Sequence, residues 1–472
     1  MSRYKTRKKI HPGALIMVLA DIAAFIVSMM LASRYALGMP LRIFFIGHSD
    51  FCILMVFVTI VNFYFFDLYY SLKDYRRFRQ AINFTLALIF SVLLISAFSF
   101  WDKSLLVPRR FALATFTLFF VLGIAVRLLF FLFKKPLVTK RAVIVGAGKC
   151  AKALVSRLEE LEEQGRDTGI DIIGYVAEKP EDKDLFPGVR YLGFPEAIND
   201  IVDTTDADLM VYSTLSEKTG RVKETIIREK LRGVDLISSV ALYSAISGQM
   251  PYDCIGDSWL IEDCLRGNKF SQTKIKRAAD IIISFFFSLA FLPVIGILAV
   301  MIKLDSKGPV FFLQERVGRF GKPFKMIKLR SMTTECYREE TPEGWHEKNK
   351  CRITRVGAFL RKTHLDELPQ FFNVLKGDMS IVGPRPEMEM FITQCEDTIP
   401  FYRLRLAVRP GLTGWAQVWF SHTSTLEGYK TKFKYDLFYL ANLSLKLDLE
   451  IMIRTILRVL GYPREQKFTE GK

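Results

Sequence analysis

Two adjacent carboxylates stand in the run Leu365-Asp366-Glu367-Leu368-Pro369-Gln370. Pro369 suits the first turn of a helix and Gly377 its C-terminal stop, so the spacing predicts a helix between them with Asp366 and Glu367 at its start. The helix dipole and free N–H groups there favour ionised carboxylates. Neighbouring residues at such a point face about a quarter-turn apart. One carboxylate can then attack a phosphorus atom while the other holds a divalent cation on the same diphosphate. Mg²⁺ is the ion that hard oxygen ligands and phosphate suit. The competing reading of an isolated Asp-Glu pair is ordinary helix capping.

Cations surround this pair in sequence. Lys328 and Arg330 alternate with apolar residues in Phe324-Lys-Met-Ile-Lys328-Leu-Arg330-Ser-Met332, so both are expected on one face of a strand. An arginine fork and a lysine point charge together suit a diphosphate, although a solvated strand face uses the same residues. Arg352–Lys362 reads as a basic amphipathic helix, with Ile353, Val356 and Leu360 on one face and Arg361 among the charges. Arg385 stands between Pro384 and Pro386, which fix the backbone and present its guanidinium with little entropy left to lose. The turn-rich Val408-Arg409-Pro410-Gly411-Leu-Thr-Gly414-Trp415-Ala-Gln417 offers a cation, an aromatic and an amide for a base or sugar. An exposed structural turn is the plainer alternative for these proline- and glycine-rich stretches.

Elements must hold these residues near an anionic partner. The 472 residues are enough for about three folded units. Half are hydrophobic, which excludes wholesale disorder, and the net charge of +17 favours an anionic partner: nucleic acid, anionic lipid or a phosphorylated substrate. Seven dispersed cysteines argue against a disulfide scaffold, and the spacings of Cys336, His346, Cys351 and His364 match no common zinc site. No removable signal peptide is expected at the N-terminus.

Four apolar runs, 14–31, 51–66, 81–100 and 111–133, predict a membrane bundle whose basic flanks place both ends in the cytoplasm. Lys103, Arg109 and Arg110 oppose that orientation mildly. Asp21 and Arg127 lie within spans, where packing is the simpler reading and function the alternative. A fifth run, 281–302, has basic residues on both sides and Pro293 near its middle. A helix broken there, entering and leaving by one membrane face, satisfies both features better than a straight span.

Between the membrane segments, Arg141-Ala-Val-Ile-Val-Gly146-Ala-Gly148-Lys-Cys-Ala151 reads as strand, glycine turn and helix in a GxGxxA pattern. Strand-like runs at 170–176, 209–213 and 234–237 extend this to an α/β domain near residue 265. Gly146 and Gly148 are the cofactor-binding candidates. The ribose-binding acid is missing at its usual spacing, Glu178 being some thirty residues from Gly148, so a domain that regulates or dimerises without NAD fits better. The triplet Asp182-Lys-Asp184 reads as a chance match to a metal motif.

Taken together, Pro293 in its apolar run, GKPFKMIKLRSM, LDELPQFFNVLKGDMSIVGPRP and RPGLTGWAQV resemble, in family order, the monotopic phosphoglycosyl transferases of bacteria. These polyprenyl-phosphate sugar-1-phosphate transferases initiate exopolysaccharide, capsule or O-antigen synthesis. The resemblance implies a fold class of membrane α-helical bundle (1–135), α/β Rossmann-like, CoA-binding-like domain (136–265) and α-rich catalytic domain (270–472) with a re-entrant membrane helix. It implies transfer of a sugar 1-phosphate from a UDP-sugar to undecaprenyl phosphate, with UMP released. Asp366 would form a phosphosugar–aspartate intermediate and Glu367 would ligate Mg²⁺. Lys328, Arg330, Arg361 and Arg385 would neutralise phosphates, with Arg409 and Gln417 on the substrate side. A homodimer at the cytoplasmic face of the inner membrane, among phospholipids and with no nucleic-acid partner, is the implied setting. The rivals are a membrane-anchored NAD-dependent dehydratase or epimerase and a non-enzymatic polysaccharide-assembly protein. The first needs a second glycine-rich turn and a Tyr-x-x-x-Lys pair in its last third, and neither occurs after residue 266.

Overall fold

In the computed structural model the apolar runs become helices, because uninterrupted Leu, Ile, Phe and Val leave the backbone no other way to satisfy its polar groups in lipid. The structure describes residues 12–66, 68–69, 77–101, 108–132, 140–165, 168–177, 185–213, 220–254, 270–333, 353–420, 425–459 and 461. The chain divides into two compact units, Met1–Ile246 and Ser247–Lys472. Glu178, Asp182, Asp184, Lys103, Cys336, His346, Cys351 and Arg352 lie outside the described residues.

The first unit opens with α1 (Pro12–Ala36), α2 (Leu41–Phe65), α3 (Arg77–Trp101) and α4 (Arg109–Leu132). Segments of all four are long and apolar enough to cross a membrane. The second starts ten residues earlier than the apolar run suggests. Its first part contains Gly47, His48, Ser49 and Asp50, and the helix tolerates them with a kink at His48 (φ −139°), whose ring stacks on Phe44. Asp21 and Arg127, far apart in sequence, meet inside the bundle in a two-pronged pair at 2.9 and 3.0 Å. The Arg127 guanidinium also donates to the Gly123 carbonyl and lies 4.1 Å over Phe84. Packing, the simpler reading, accounts for both residues. Asp21→Ala leaves that guanidinium buried and unpaired and is expected to cost about 3–5 kcal/mol. The double variant Asp21→Leu/Arg127→Met should recover most of the loss. Thermal unfolding in detergent checks both, and equal midpoints for Asp21→Ala and wild type would remove the clamp.

The same unit then alternates strand and helix: β1 (Lys140–Val145), α5 (Lys149–Glu163), β2 (Ile170–Val176), β3 (Tyr191–Gly193), α6 (Ile198–Thr205), β4 (Leu209–Tyr212), α7 (Gly220–Leu231), β5 (Asp235–Ser238) and α8 (Ser239–Ser247). The strands form one parallel sheet in the order β3-β2-β1-β4-β5. Apolar residues bury both faces, as a parallel sheet requires. Gly146 takes φ 98°, a left-handed value that only glycine adopts cheaply, and Gly148 stands at the start of α5.

The second unit begins with α9 (Phe270–Asp305), a single helical run of 36 residues with Pro293 inside. Both of its ends are bonded into the rest of that unit. Near the start, Arg277 donates to the carbonyls of Val374 and Leu375, Lys276 pairs with Asp448, and Asp280 accepts from Ser380. At the end, Asp305 accepts from the Val356 amide, and Ile295, Leu298 and Ile302 pack with Leu329 and Leu360. Between these ends Phe285, Phe286, Leu289 and Leu292 are exposed.

An antiparallel hairpin follows, β6 (Phe311–Val317) and β7 (Pro323–Leu329). Next come α10 (Arg355–Thr363), a 3₁₀ turn over Leu365–Glu367, α11 (Gln370–Lys376), β8 (Ser380–Val382) and α12 (Glu389–Glu396). The unit closes with a 3₁₀ turn over Tyr402–Ala407, β9 (Gly411–Thr413), α13 (Trp415–Trp419), α14 (Leu426–Ala441) and α15 (Leu445–Val459). Phe324, Met326, Trp415, Trp419, Tyr439 and Ile451 share its core.

Candidate active site

The alternation in β7 that puts Lys328 on one face also puts Phe324 and Met326 there, and both are buried. Lys328 therefore points inward rather than to solvent. α11 is tied to the same strand by Asn373, whose side chain accepts from the Ile327 amide (3.0 Å) and donates to the Lys325 carbonyl (2.8 Å). α10 is capped by Thr354, and its Gly357 lies so close to Ser331 that a Cβ would meet the Ser331 carbonyl oxygen at 2.0 Å. Ile353 precedes this cap and bridges to Met332, so it is not on the helix face where periodicity puts it. His364 then takes φ 57° and turns the chain into the 3₁₀ turn that carries Asp366 and Glu367. The pair stands before α11, not in its first turn.

The Glu367 Oε1 atom accepts from the Lys328 Nζ and from an Arg385 Nη2, each at 3.3 Å. Burial alone would raise the Glu367 carboxyl, but the Arg385 and Lys328 charges outweigh it and hold the group near 2. Asp366 moves the other way. Burial and the neighbouring Glu367 charge raise it, against the pull of Lys328 and Arg361. Two adjacent carboxylates thus acquire different characters, one firmly anionic and one more basic. Arg361 is exposed at the end of α10. Burial lowers the Lys328 ammonium despite Glu367, whereas Glu367 and Glu387 raise Arg385 against burial.

Other candidate residues have different partners. Arg330 is 2% exposed, and its guanidinium donates to the Ser306 and Lys307 carbonyls and the Ser306 hydroxyl, closing the end of α9. Arg409 donates to the Gly377 carbonyl at 3.0 Å, at the end of α11. Gln417 donates to the Leu412 carbonyl, and its Oε1 has no hydrogen-bond partner among the described residues. No hydrogen bond or ion pair joins Arg330, Arg409 or Gln417 to the two carboxylates among the described residues. Trp415 is buried and donates to the Gly248 carbonyl, so its ring is unavailable to a base. The glycines of this loop serve a backbone crossing: a Cβ on Gly411 would meet the Gly383 nitrogen at 2.1 Å, and one on Gly414 the Gly383 carbonyl oxygen at 2.2 Å.

Beneath Arg385 lies a charged layer that the sequence analysis does not single out. Arg405, 3% exposed, donates to the Arg385 carbonyl (3.0 Å) and the Tyr402 hydroxyl (2.9 Å) and forms an ion pair with Asp436 at 2.8 Å. Glu387 pairs with Lys432 and stands 3.7 Å from Arg316, which also donates to the Pro386 carbonyl. The available signal was Glu387 directly after the Gly-Pro-Arg-Pro run and Lys432 four residues before Asp436, one helical turn apart.

Residues 271–462 match the family model described as bacterial sugar transferase. The chain is 45% identical over 186 residues to the UDP-N-acetylgalactosamine-undecaprenyl-phosphate N-acetylgalactosaminephosphotransferase of Aeromonas hydrophila, covering 39% of this chain and 44% of that protein. It is 45% identical over 185 residues to the UDP-glucose:undecaprenyl-phosphate glucose-1-phosphate transferase of Klebsiella pneumoniae, covering 39% of each. With these two the match spans well under half of the relative's length. A longer match, 31% identical over 339 residues, joins 68% of this chain to 69% of the UDP-galactose-lipid carrier transferase of Erwinia amylovora.

Proposed function

This chain belongs to the bacterial sugar transferases, and from that premise we propose that it moves a sugar 1-phosphate from a UDP-sugar to undecaprenyl phosphate. One observation carries the reading: Glu367 shares one oxygen with Lys328 and Arg385 while Asp366, beside it, is made more basic by burial and by Glu367. In the first step an Asp366 carboxylate oxygen attacks the sugar-bearing phosphorus, and the bond to the UMP oxygen breaks with its electron pair. In the second a phosphate oxygen of the lipid attacks the same phosphorus, forming the lipid diphosphate and restoring the Asp366 carboxylate. Lys328 and Arg385 neutralise the phosphates, and Arg361 adds charge from the solvent side.

Asp366 and Glu367 suit a magnesium ion shared with substrate. Among the described residues no cluster of three His, Cys, Asp or Glu could hold a metal by itself, whereas Mg²⁺ needs only one or two carboxylates when phosphates and water complete its shell. When bound it would screen negative charge on the diphosphate. Glu367→Gln is expected to raise the Mg²⁺ concentration for half-maximal activity at least about tenfold. Mn²⁺ binding followed by paramagnetic resonance with UDP present gives a readout independent of turnover. Unchanged metal binding would remove Glu367 from the ligands.

The re-entrant course of α9 and a cytoplasmic active site belong to the same reading. Its support is that polar residues near both ends of α9 bond to one polar body while the apolar stretch around Pro293 is exposed between them. A straight crossing would lay that body along hydrocarbon. Cysteine labelling beyond residue 303 tests it, and labelling from the periplasm would overturn it. The middle sheet is read as Rossmann-like on its strand order and glycine turn. The decisive assay is UMP release from UDP-glucose, UDP-galactose and their N-acetylated forms with undecaprenyl phosphate. No release from any of them would overturn the proposal.

A further inference from the structure

Arg277, Arg319 and Arg409 come from distant parts of the chain and gather at the carboxyl end of α11. Arg277 donates to the Val374 and Leu375 carbonyls, and its Nη2 atom lies 3.4 Å from where a Cβ on Gly377 would stand. Arg409 donates to the Gly377 carbonyl through Nε at 3.0 Å. Arg319 donates through Nε to the Ala407 carbonyl at 3.1 Å, two residues before Arg409. A guanidinium held only at Nε keeps its Nη edge for another acceptor. In Arg319 and Arg409 that edge makes no hydrogen bond or ion pair among the described residues.

No carboxylate pairs with any of the three arginines among the described residues. The nearest ones are engaged elsewhere: Asp378 pairs with Lys376 at 3.0 Å, and Asp280 accepts from the Ser380 hydroxyl and the Ile381 amide. Burial and then the Arg409 charge lower both Arg277 and Arg319, and only on Arg277 does Asp280 pull the other way. Cations gathered in this way destabilise one another until an anion joins them. The carbonyls ending α11 account for Arg277 and for one edge of Arg409, but not for the two open Nη edges.

The course of α9 says where an anion is at hand. Arg277 stands four residues before the exposed Ile281, about 6 Å along the helix. The headgroup layer beside the hydrocarbon is about 5–7 Å deep, so a re-entrant α9 holds Arg277 at the level of the lipid phosphates. Next to Arg319, in the turn between β6 and β7, Phe320 is 68% exposed and takes φ 60°. Its ring lies 4.4 Å from the Arg319 guanidinium. A left-handed conformation strains any residue but glycine, and here it belongs to a bare aromatic ring beside the cations. An aromatic ring next to arginine suits the boundary between headgroups and acyl chains.

We propose that Arg277, Arg319 and Arg409 bind the phosphate of an anionic glycerophospholipid headgroup, at a site separate from the Asp366–Glu367 pair. The Nη edges of Arg319 and Arg409 hold the phosphate oxygens, Arg277 adds charge where α9 enters the bilayer, and Phe320 rests against the first acyl carbons. The site rests on the re-entrant course of α9 proposed above. The test is native mass spectrometry of the full-length protein released from detergent and titrated with phosphatidylglycerol, phosphatidylcholine, undecaprenyl phosphate or UDP. One phosphatidylglycerol is expected to bind saturably and at least about tenfold more tightly than phosphatidylcholine. Arg319→Gln and Arg409→Gln should each weaken it about tenfold, the loss of one charge-assisted contact. Arg319→Gln changes only the hairpin turn, so it decides the question if Arg409→Gln disturbs folding. Equal phosphatidylglycerol affinity in wild type and Arg319→Gln overturns the proposal. Binding lost in Arg385→Ala but kept in Arg319→Gln belongs to the catalytic site and overturns it too. Displacement of phosphatidylglycerol by equimolar UDP or undecaprenyl phosphate would assign the arginines to a substrate and overturn the phospholipid. Cysteine labelling beyond residue 303 separates the two readings: missing phosphatidylglycerol binding with cytoplasmic labelling removes this site alone, whereas periplasmic labelling removes both.

Discussion

Asp366→Asn is expected to lower UMP release by at least about 10³-fold while leaving the thermal transition of the protein nearly unchanged. Asparagine has the size of aspartate and serves equally well before a helix, so a capping role predicts almost no effect on either quantity. A nucleophilic role predicts the opposite, because a neutral amide oxygen does not displace UMP from phosphorus. The structure sharpens this contrast. Asp366 accepts neither of the charge-assisted bonds that its neighbour Glu367 receives from Lys328 and Arg385. Its removal therefore leaves that ion-pair cluster in place. Burial and the Glu367 charge raise the Asp366 carboxyl, which increases its basicity and with it its reactivity toward phosphorus. Labelled sugar phosphate that stays with the denatured wild-type chain, and is missing from Asp366→Asn, would identify the intermediate. Full activity in the variant would refute the covalent step.

What the sequence made legible follows from how local each signal is. Pro369 and Gly377 punctuate α11 over a few residues, and the structure places Gly377 in the left-handed conformation that ends it. Val, Ile and Ala alternate with glycine turns closely enough to announce β1 and β2. The left-handed His364, which moves Asp366 and Glu367 out of the helix into their own 3₁₀ turn, carries no comparable mark. Nor did alternation in β7 reveal that the face shared by Lys328 and Phe324 is the buried one, since that depends on Asn373 and α11 docking from about fifty residues away.

Two ambiguities in the sequence share a physical origin. Arginine recognises clusters of acceptor oxygens, and the carbonyls at the end of a helix are such a cluster just as a diphosphate is. Arg330 and Arg409 bind helix-end carbonyls in this chain. Glycine and proline likewise serve close approach to a phosphate or to another backbone, and between Gly383, Gly411 and Gly414 the neighbour is backbone. Distinguishing the two uses takes knowledge of what lies opposite, which only the fold supplies.

Arg405→Met is expected to destabilise the second unit strongly. Arg405 is fully enclosed, with Asp436, the Tyr402 hydroxyl and the Arg385 carbonyl as its partners. Methionine fills similar space but leaves Asp436 without its 2.8 Å counter-charge and Glu387 with fewer neighbours of opposite sign. Breaking one side of a buried pair costs about 3–5 kcal/mol. At about 2–4 °C per kcal/mol for a unit of this size, the apparent unfolding midpoint should fall by roughly 6–20 °C. The double variant Arg405→Met/Asp436→Leu removes both charges and should lie well above the single variant. That non-additivity would show the loss to be electrostatic rather than one of packing. A second consequence reaches the site. The Arg405 bond helps fix the carbonyl of Arg385 between its two prolines, so the double variant, even if stable, should bind the UDP-sugar more weakly while retaining its Asp366 chemistry. A higher KM with kcat nearly intact is the expected pattern. A midpoint within 1 °C of wild type for Arg405→Met would mean that water or rearrangement compensates the buried charges, and the positioning role would fall with it.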